Sequence, residues 1–414
     1  MKIEIVTTGD EIMAGELVDT NSAWLAAELF NDGIAVTRFV SVPDDLALLK
    51  GELERLAGDA DVAVVTGGLG PTEDDITVEV AAEFFGVDVD EHGPSLERAR
   101  SLFAARGIEF TDNNRKQASY PAGCRVLLNP VGLAPGFSGV KGRCTFYFLP
   151  GVPREFKALC RQDIIPELLE RDPQQEHFDY RIMKLVAVPE SHLARGAGPI
   201  MRAFPEVRFG YRAHYPEVWF KFRTTASTQD EASACADEIE AAIRDEFGSK
   251  VFGMADDTLQ GAVGSLLKSG GLKLSTAESC TGGMVGDLLT SVPGSSDYYL
   301  GGAVTYSNEM KKAVLGVPEE TLSVYGAVSE ECARAMATGA RQRFGADLAV
   351  AVTGIAGPGG GTPDKPVGTV HLALATPTGI VHKRREFRPG RDMVRTAAAS
   401  TALNLIRLYL LGVT

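Results

Sequence analysis

Residues Leu272–Val292, LKLSTAESCTGGMVGDLLTSV, change character once: the β-like run LKLSTA gives way, at Glu278-Ser279-Cys280-Thr281-Gly282-Gly283, to a stretch with helical spacing. A strand turning directly into a helix is the unit from which sheets flanked by helices are built. The junction also carries chemistry. The first N–H groups of a helix lack intrahelical partners and bear a partial positive charge, so a hydroxyl there faces a site suited to an anion or an oxyanion. Ser279 is the candidate nucleophile. Taken alone, the stretch reads more simply as Ser279 and Thr281 capping a helix.

Two downstream segments shift that balance. GGAVTYSNEMKKAVLG (301–316) supplies Tyr306 and Lys311, five residues apart, so a tyrosine at a strand end and a lysine in the first turn of the next helix can converge on the serine. Serine is a weak nucleophile without an adjacent base, and a desolvated lysine serves where no histidine is at hand. His371 and His382 are the histidines of this region, and neither lies in a glycine-rich turn. In LAVAVTGIAGPGGGTPDKPVGTVHLALA (348–375) an apolar strand ends at Thr353-Gly354 and opens into a glycine-rich loop. Such a loop lets backbone amides approach a phosphate or carbonyl, and is equally what any tight turn requires.

Toward the amino terminus the strand–helix alternation repeats. Lys2–Thr7 alternates, Gly9-Asp10-Glu11 breaks it, and DTNSAWLAAELF (19–30) has helical spacing. A strand from Ile34 and another in VAVVTGG follow, and TGGLGPTEDD (66–75) leads into a helical stretch ending near Phe85. Both acidic turns should sit at carboxyl ends of strands of one sheet, the edge where open α/β sheets bind ligands. Gly67 and Gly68 suit a close phosphate. Asp10, Glu11, Asp74 and Asp75 are candidate ligands for a divalent ion, the alternative being helix capping and a solvated acidic turn. From Pro130 to Gly151 a Pro/Gly-rich stretch forms ligand-facing loops.

The polar RDPQQEH (171–177) separates this region from a segment reading as strand, helix, two strands and helix, up to about residue 252. The fold class is therefore α/β: two α/β domains with mostly parallel sheets flanked by helices (1–170 and 253–414), joined by a small α+β module (171–252). The module reads as a structural or dimerising insert. Its Gly196 and Gly198 have the wrong spacing for the GXXG loop of single-strand RNA binders.

Composition narrows the classes. In 414 residues, 44% are hydrophobic and 23% charged, ordinary for a globular protein. A net charge of −14 argues against direct nucleic-acid binding. No apolar run reaches the roughly 18 residues of a membrane span, and Glu4 interrupts the start where a secretory signal needs apolar residues, so a cytoplasmic location without membrane association is expected. The six cysteines form no CxxC pair and are expected to be reduced. Exposed sheet edges make a homodimer plausible.

In their order, AESCTGG, GGAVTYSNEMK, GAVSEECARAMATG and VTGIAGPGGGTPDKPVGTV resemble the nicotinamide mononucleotide deamidases that form the carboxy-terminal half of CinA proteins, over about residues 256–414. The resemblance implies that Ser279 is the nucleophile, that Tyr306 and Lys311 activate it, that Thr353 and Gly354 line the nucleotide pocket together with the Thr281-Gly282-Gly283 turn, and that Arg391 or Arg395 binds phosphate. No cofactor is implied there. GDEIMAGELVDTNS, TGGLGPTEDD, NRKQASYPAG, NPVGLAPGF and FLPGVPREF are similar to the amino-terminal half of the same family, a relative of molybdopterin-binding domains, over about residues 1–170. This implies a metal-dependent ADP-ribose pyrophosphatase (Mg, Mn or Co) yielding AMP and ribose 5-phosphate. Asp10, Glu11, Asp19, Asn21, Gly67, Gly68, Thr72, Asp74 and Asp75 would take part, and Asn114, Arg115 and Lys116 would offer contacts to phosphates. Two alternatives stand beside it: an amino-terminal domain that binds a molybdopterin-type cofactor, and a competence- or DNA-damage-associated binding protein.

Overall fold

The computed structural model describes residues 1–105, 107–171 and 177–413, in two compact units, Met1–His177 and Phe178–Thr414. Most of the polar connection expected at 171–177 lies outside the described residues.

In the first unit, strands β1 (Ile3–Thr8), β2 (Val36–Val42), β3 (Val62–Thr66), β4 (Arg125–Leu127), β5 (Gly136–Lys141) and β6 (Cys144–Leu149) form one sheet in the order β2-β1-β3-β6-β5-β4. The first four in that order are parallel and the last two add antiparallel. β1 and β3 are buried along their whole length, as a parallel sheet covered on both faces requires. Helix α1 (Thr20–Asn31) starts at Asp19, whose side chain accepts the Ser22 N–H, so the acidic residue before the helix is its cap. With Val62, Val64 and Phe156, α1 closes one apolar layer, while α2 (Leu46–Asp59) and α3 (Thr77–Phe85) close the other over Val65 and Phe146.

The second unit has two sheets. β7 (His177–Val186), β8 (Arg208–His214), β9 (Glu217–Ala226) and β10 (Val251–Met254) run β8-β9-β7-β10, with α4 (Glu190–Ala203) and α5 (Gln229–Phe247) packed on Phe220 and Phe222. Gly196 and Gly198 lie inside α4 rather than in a loop. The other sheet contains β11 (Leu274–Glu278), β12 (Tyr299–Val304), β13 (Leu348–Gly354), β14 (Thr369–Thr376) and β15 (Gly379–Glu386), in the order β12-β11-β13-β14-β15. Its first three strands are parallel, and the last two antiparallel. Around it run α6 (Leu259–Gly270), α7 (Met284–Thr290), α8 (Asn308–Leu315), α9 (Glu330–Phe344) and α10 (Arg391–Leu410). Val350, Val352 and Leu372 face α6 and α10; Ala349, Ala351 and Ala373 face α9.

The alanine face lets α9 lie close to the sheet, and α9 in turn crowds α8. At Gly339 an added Cβ would overlap the carbonyl of Leu315, the last residue of α8. Gly339→Ala is therefore expected to lower stability by about 1–3 kcal/mol, outweighing alanine's better helix propensity of roughly 1 kcal/mol. A melting temperature equal to or above wild type would contradict this.

Among the described residues no helix is long and apolar enough to cross a membrane. All six cysteines are free thiols.

Candidate active sites

In the second unit β11 delivers Ser279 to the carboxyl edge of the sheet, where the Ser279 amide donates to the Val352 carbonyl at 3.0 Å. Gly282 (φ 64°) and Gly283 (φ 100°) then turn the chain through left-handed conformations that a side chain would resist, and α7 begins. Ser307 caps α8, and the first turn of that helix brings Lys311 back over the turn. Lys311 Nζ lies 3.1 Å from Ser279 Oγ, 2.9 Å from the Thr305 carbonyl and 3.2 Å from the Tyr306 carbonyl. The lysine is 1% exposed and the serine 8%. Burial pulls the Lys311 amine below the ordinary lysine range, because the charged form loses its hydration. The serine and lysine of two distant segments thus form one buried hydrogen-bonded pair.

Tyr306 departs from the expectation. Its backbone carbonyl, not its hydroxyl, meets Lys311; the ring is 59% exposed and the hydroxyl accepts from Arg391 Nη2 at 2.9 Å. The alternation of a strand end sends the ring outward while the carbonyl points along the chain toward α8. Arg391 also donates to the Gly357 carbonyl at 2.9 Å, and Arg395 Nη2 donates to the Thr281 carbonyl at 3.2 Å. Arg395 therefore borders the serine turn, and Arg391 joins the Tyr306 and Gly357 segments. Thr353 is buried, and its hydroxyl donates to the Ala327 carbonyl at 2.7 Å, which ties the strand end to the approach of α9. Gly354 is still within β13, paired with Val370.

The expected role of the amides at the helix start also needs correction. The buried Glu278 carboxylate accepts from the amides of Gly283, Val285 and Gly286 at 2.9–3.0 Å, so the amino end of α7 is already occupied. The amides of Cys280 and Thr281, directly after the nucleophile, have no carbonyl or carboxylate partner among the described residues. Cys280 is buried, and desolvation pushes its thiol up to about 12. A thiolate, the reactive form, is strongly disfavoured there.

In the first unit a cavity of about 920 Å³ opens at the carboxyl ends of β1, β3 and β6. Asn21, Gly67, Gly68, Glu11, Asp74 and Asp75 line it, with parts of the 131–134 and 150–153 loops. Asn21 Nδ2 donates to Thr66 Oγ1 and to the Gly151 carbonyl, while its buried Oδ1 has no partner among the described residues. At Gly67 a Cβ would strike the Thr8 carbonyl, so this glycine is required by packing as well as by its φ of 111°.

Other predicted residues do not line this cavity and bond to protein groups around it. Asp10 Oδ1 accepts the Asp44 amide at 3.2 Å, while the Asp10 amide donates to Asp44. Thr72 donates from its amide and hydroxyl to Asp75 Oδ2 at 2.8 and 2.5 Å. The Thr72 hydroxyl also holds the Asp74 carboxyl below the usual range. Asn114 bonds Thr111 Oγ1, Arg115 pairs with Glu91, and Lys116 Nζ donates to the carbonyls of Thr72 and Asp75. The positive charge expected to meet phosphates is thus spent on the protein. Asp19, expected to take part, does line the cavity. Missed by the sequence reading were Asp44 and Glu155 as lining carboxylates, and Glu278 as a cap; no local motif distinguishes these from solvated acids.

Residues 256–410 match the family model described as the CinA C-terminal domain, residues 4–170 the probable molybdopterin binding domain, and residues 180–253 the damage-inducible protein CinA KH domain. A CinA-like protein of Anaeromyxobacter dehalogenans (strain 2CP-C) is 46% identical over 412 residues, covering 99% of this chain and 100% of its own. The CinA-like protein of Myxococcus xanthus (strain DK1622) is 42% identical over 416 residues, 100% of this chain and 99% of its own. Among solved structures, the competence/damage inducible protein CihA from Agrobacterium tumefaciens is 46% identical, with 37% of this chain and 93% of that one covered and a TM-score of 0.36.

Proposed function

This chain belongs to the CinA family, with an amino-terminal region similar to molybdopterin-binding domains, and from that premise we propose that it is a cytoplasmic, bifunctional hydrolase of pyridine-nucleotide recycling. The carboxy-terminal domain deamidates nicotinamide mononucleotide to nicotinate mononucleotide and ammonia. One observation carries this reading: the buried Lys311 amine sits 3.1 Å from Ser279 Oγ. Neutral Lys311 takes the Ser279 proton as Oγ attacks the carboxamide carbon. The amides of Cys280 and Thr281, which no backbone carbonyl takes among the described residues, would receive the developing oxyanion. Lys311 then returns the proton to the departing ammonia, and water cleaves the acyl-serine with the same amine as base. Arg391 and Arg395 supply the charge for the substrate phosphate, with Tyr306 holding Arg391 in position.

The test is an ammonia-release assay on the full chain with nicotinamide mononucleotide, beside the phosphate-free riboside. Nucleotide turnover with little from the riboside is expected; silence from correctly folded protein would end the reading. Cys280→Ala is expected to retain activity within about threefold, since a protonated thiol does no nucleophilic work. Loss comparable to a nucleophile deletion would move the nucleophile to Cys280.

For the amino-terminal domain we propose hydrolysis of ADP-ribose to AMP and ribose 5-phosphate. Glu11, Asp19, Asp44, Asp74, Asp75 and Glu155 line the cavity, and no lysine or arginine does. A diphosphate cannot sit among these carboxylates without a cation. No three candidate ligands among the described residues cluster as a preformed cage, which suits an ion held by one or two carboxylates together with the substrate's own phosphates. Asp74, Asp75 and Glu11 are the residues that would hold it; when bound, it neutralises phosphate charge and activates water. Asn21, which lines the cavity, would contribute through its amide once a substrate is bound. Chelation with EDTA should abolish AMP formation and leave ammonia release unchanged. No AMP with Mg, Mn or Co would favour cofactor binding over hydrolysis.

A further inference from the structure

A separate cavity of about 290 Å³ opens beside the start of α9, lined by Ser329, Glu331, Asp364, Lys365, His371 and Arg384. Thr353, His371 and Arg384 are register partners on three adjacent strands and so share one face of the sheet. His371 is only 9% exposed. Its Nδ1 lies 3.1 Å from His382 Nε2, and His382 Nδ1 lies 3.2 Å from the Glu330 carboxylate, which Arg334 also holds at 2.7 Å.

These contacts fix the tautomers. A carboxylate can only accept, so His382 donates from Nδ1; neutral His382 then accepts at Nε2, and His371 donates from its own Nδ1. His371 Nε2 is left as a lone pair with no partner among the described residues. Burial, then the nearby His382, Arg384 and Lys365, push His371 down to about 4, so it remains an acceptor at neutral pH. Lys365 Nζ uses one hydrogen on the Tyr325 carbonyl at 2.8 Å and keeps two. Arg384 has no carboxylate partner among the described residues.

The cavity therefore combines cations that call for an anion with acceptors, His371 Nε2 and the lining carboxylates Glu330, Glu331 and Asp364, that repel an anion with no hydrogen to give; Glu330 is already engaged by Arg334 and His382. We propose that this cavity is a second ligand site, selective for a protonated phosphate, either free or as a phosphomonoester. Inorganic phosphate keeps a P–OH near neutral pH, and a phosphomonoester keeps one below about pH 6; either can then donate to His371 while accepting from Lys365 and Arg384. Sulfate has the same shape and no proton to donate.

Calorimetric titration of the full chain with inorganic phosphate, sulfate and ribose 5-phosphate near neutral pH tests this. Phosphate is expected to bind about tenfold or more tightly than sulfate, the cost of facing an unpaired buried acceptor. Arg384→Ala, at an exposed position that folding tolerates, should weaken phosphate binding several-fold, while Arg395→Ala should not. Ribose 5-phosphate binding below about pH 6, where the ester keeps a P–OH, that Arg384→Ala weakens would identify an ester site, and binding indifferent to Arg384→Ala a site for the free ion. Equal affinity for sulfate, absence of phosphate binding, or sensitivity to Arg395→Ala but not Arg384→Ala would overturn the proposal.

Discussion

Replacing Ser279 with alanine is expected to cut ammonia release from nicotinamide mononucleotide by on the order of 10⁵-fold, the scale seen when a hydrolase loses its nucleophile. The change removes one oxygen from a residue 8% exposed and leaves the strand contact to Val352 intact, since that bond is made by the backbone amide. Folding should be nearly unaffected. The variant should still bind the nucleotide, because Arg391 and Arg395 do not depend on the hydroxyl for their positions. Thermal melting, nucleotide binding and the ammonia assay on one preparation separate these effects. Activity above about a hundredth of wild type would exclude Ser279 as the attacking group.

Lys311→Met is the second large effect, a fall of about 10³-fold, typical of losing a positioned general base. The amine must be neutral to act, and burial lowers its affinity for a proton. Wild-type kcat/KM should rise with pH and level off above a value below 10.5, the ordinary lysine figure; the residual activity of Lys311→Met should lack that rise. The sign for stability follows from the same shift. Between the lowered folded value and the unfolded one, the unfolded chain binds more protons, so stability increases with pH across that window and is least below it. Lys311→Met should abolish this increment. A pH–activity profile unchanged in the variant would remove Lys311 from the mechanism.

The junction at Ser279 was legible because a change of hydrophobic period is a local signal. Lys311 could be paired with Ser279 only through its spacing from Tyr306, and there the inference went partly astray: sequence spacing locates a backbone but does not say whether ring or carbonyl faces inward. Glu278 was invisible for a related reason. Its carboxylate meets three amides only because Gly282 and Gly283 take left-handed conformations, which a single sequence does not announce. Arg115 and Lys116 looked available to a phosphate because their partners, Glu91 and the Thr72 and Asp75 carbonyls, lie 24 to 44 residues away. The boundary drawn between 252 and 253 cuts the strand Val251–Met254, whose partner, Met183–Leu185, is equally remote.

That strand bears on how the protein can be cut. Phe252 and Val186 are part of the same apolar cluster as Leu259, Leu348 and Leu403, and the buried Arg407 donates to the Ser249 carbonyl. A recombinant fragment begun at residue 256 would leave a greasy socket open to water and strand a guanidinium without its acceptor. One begun near residue 178 carries its own plug, and is the piece to express for crystallisation.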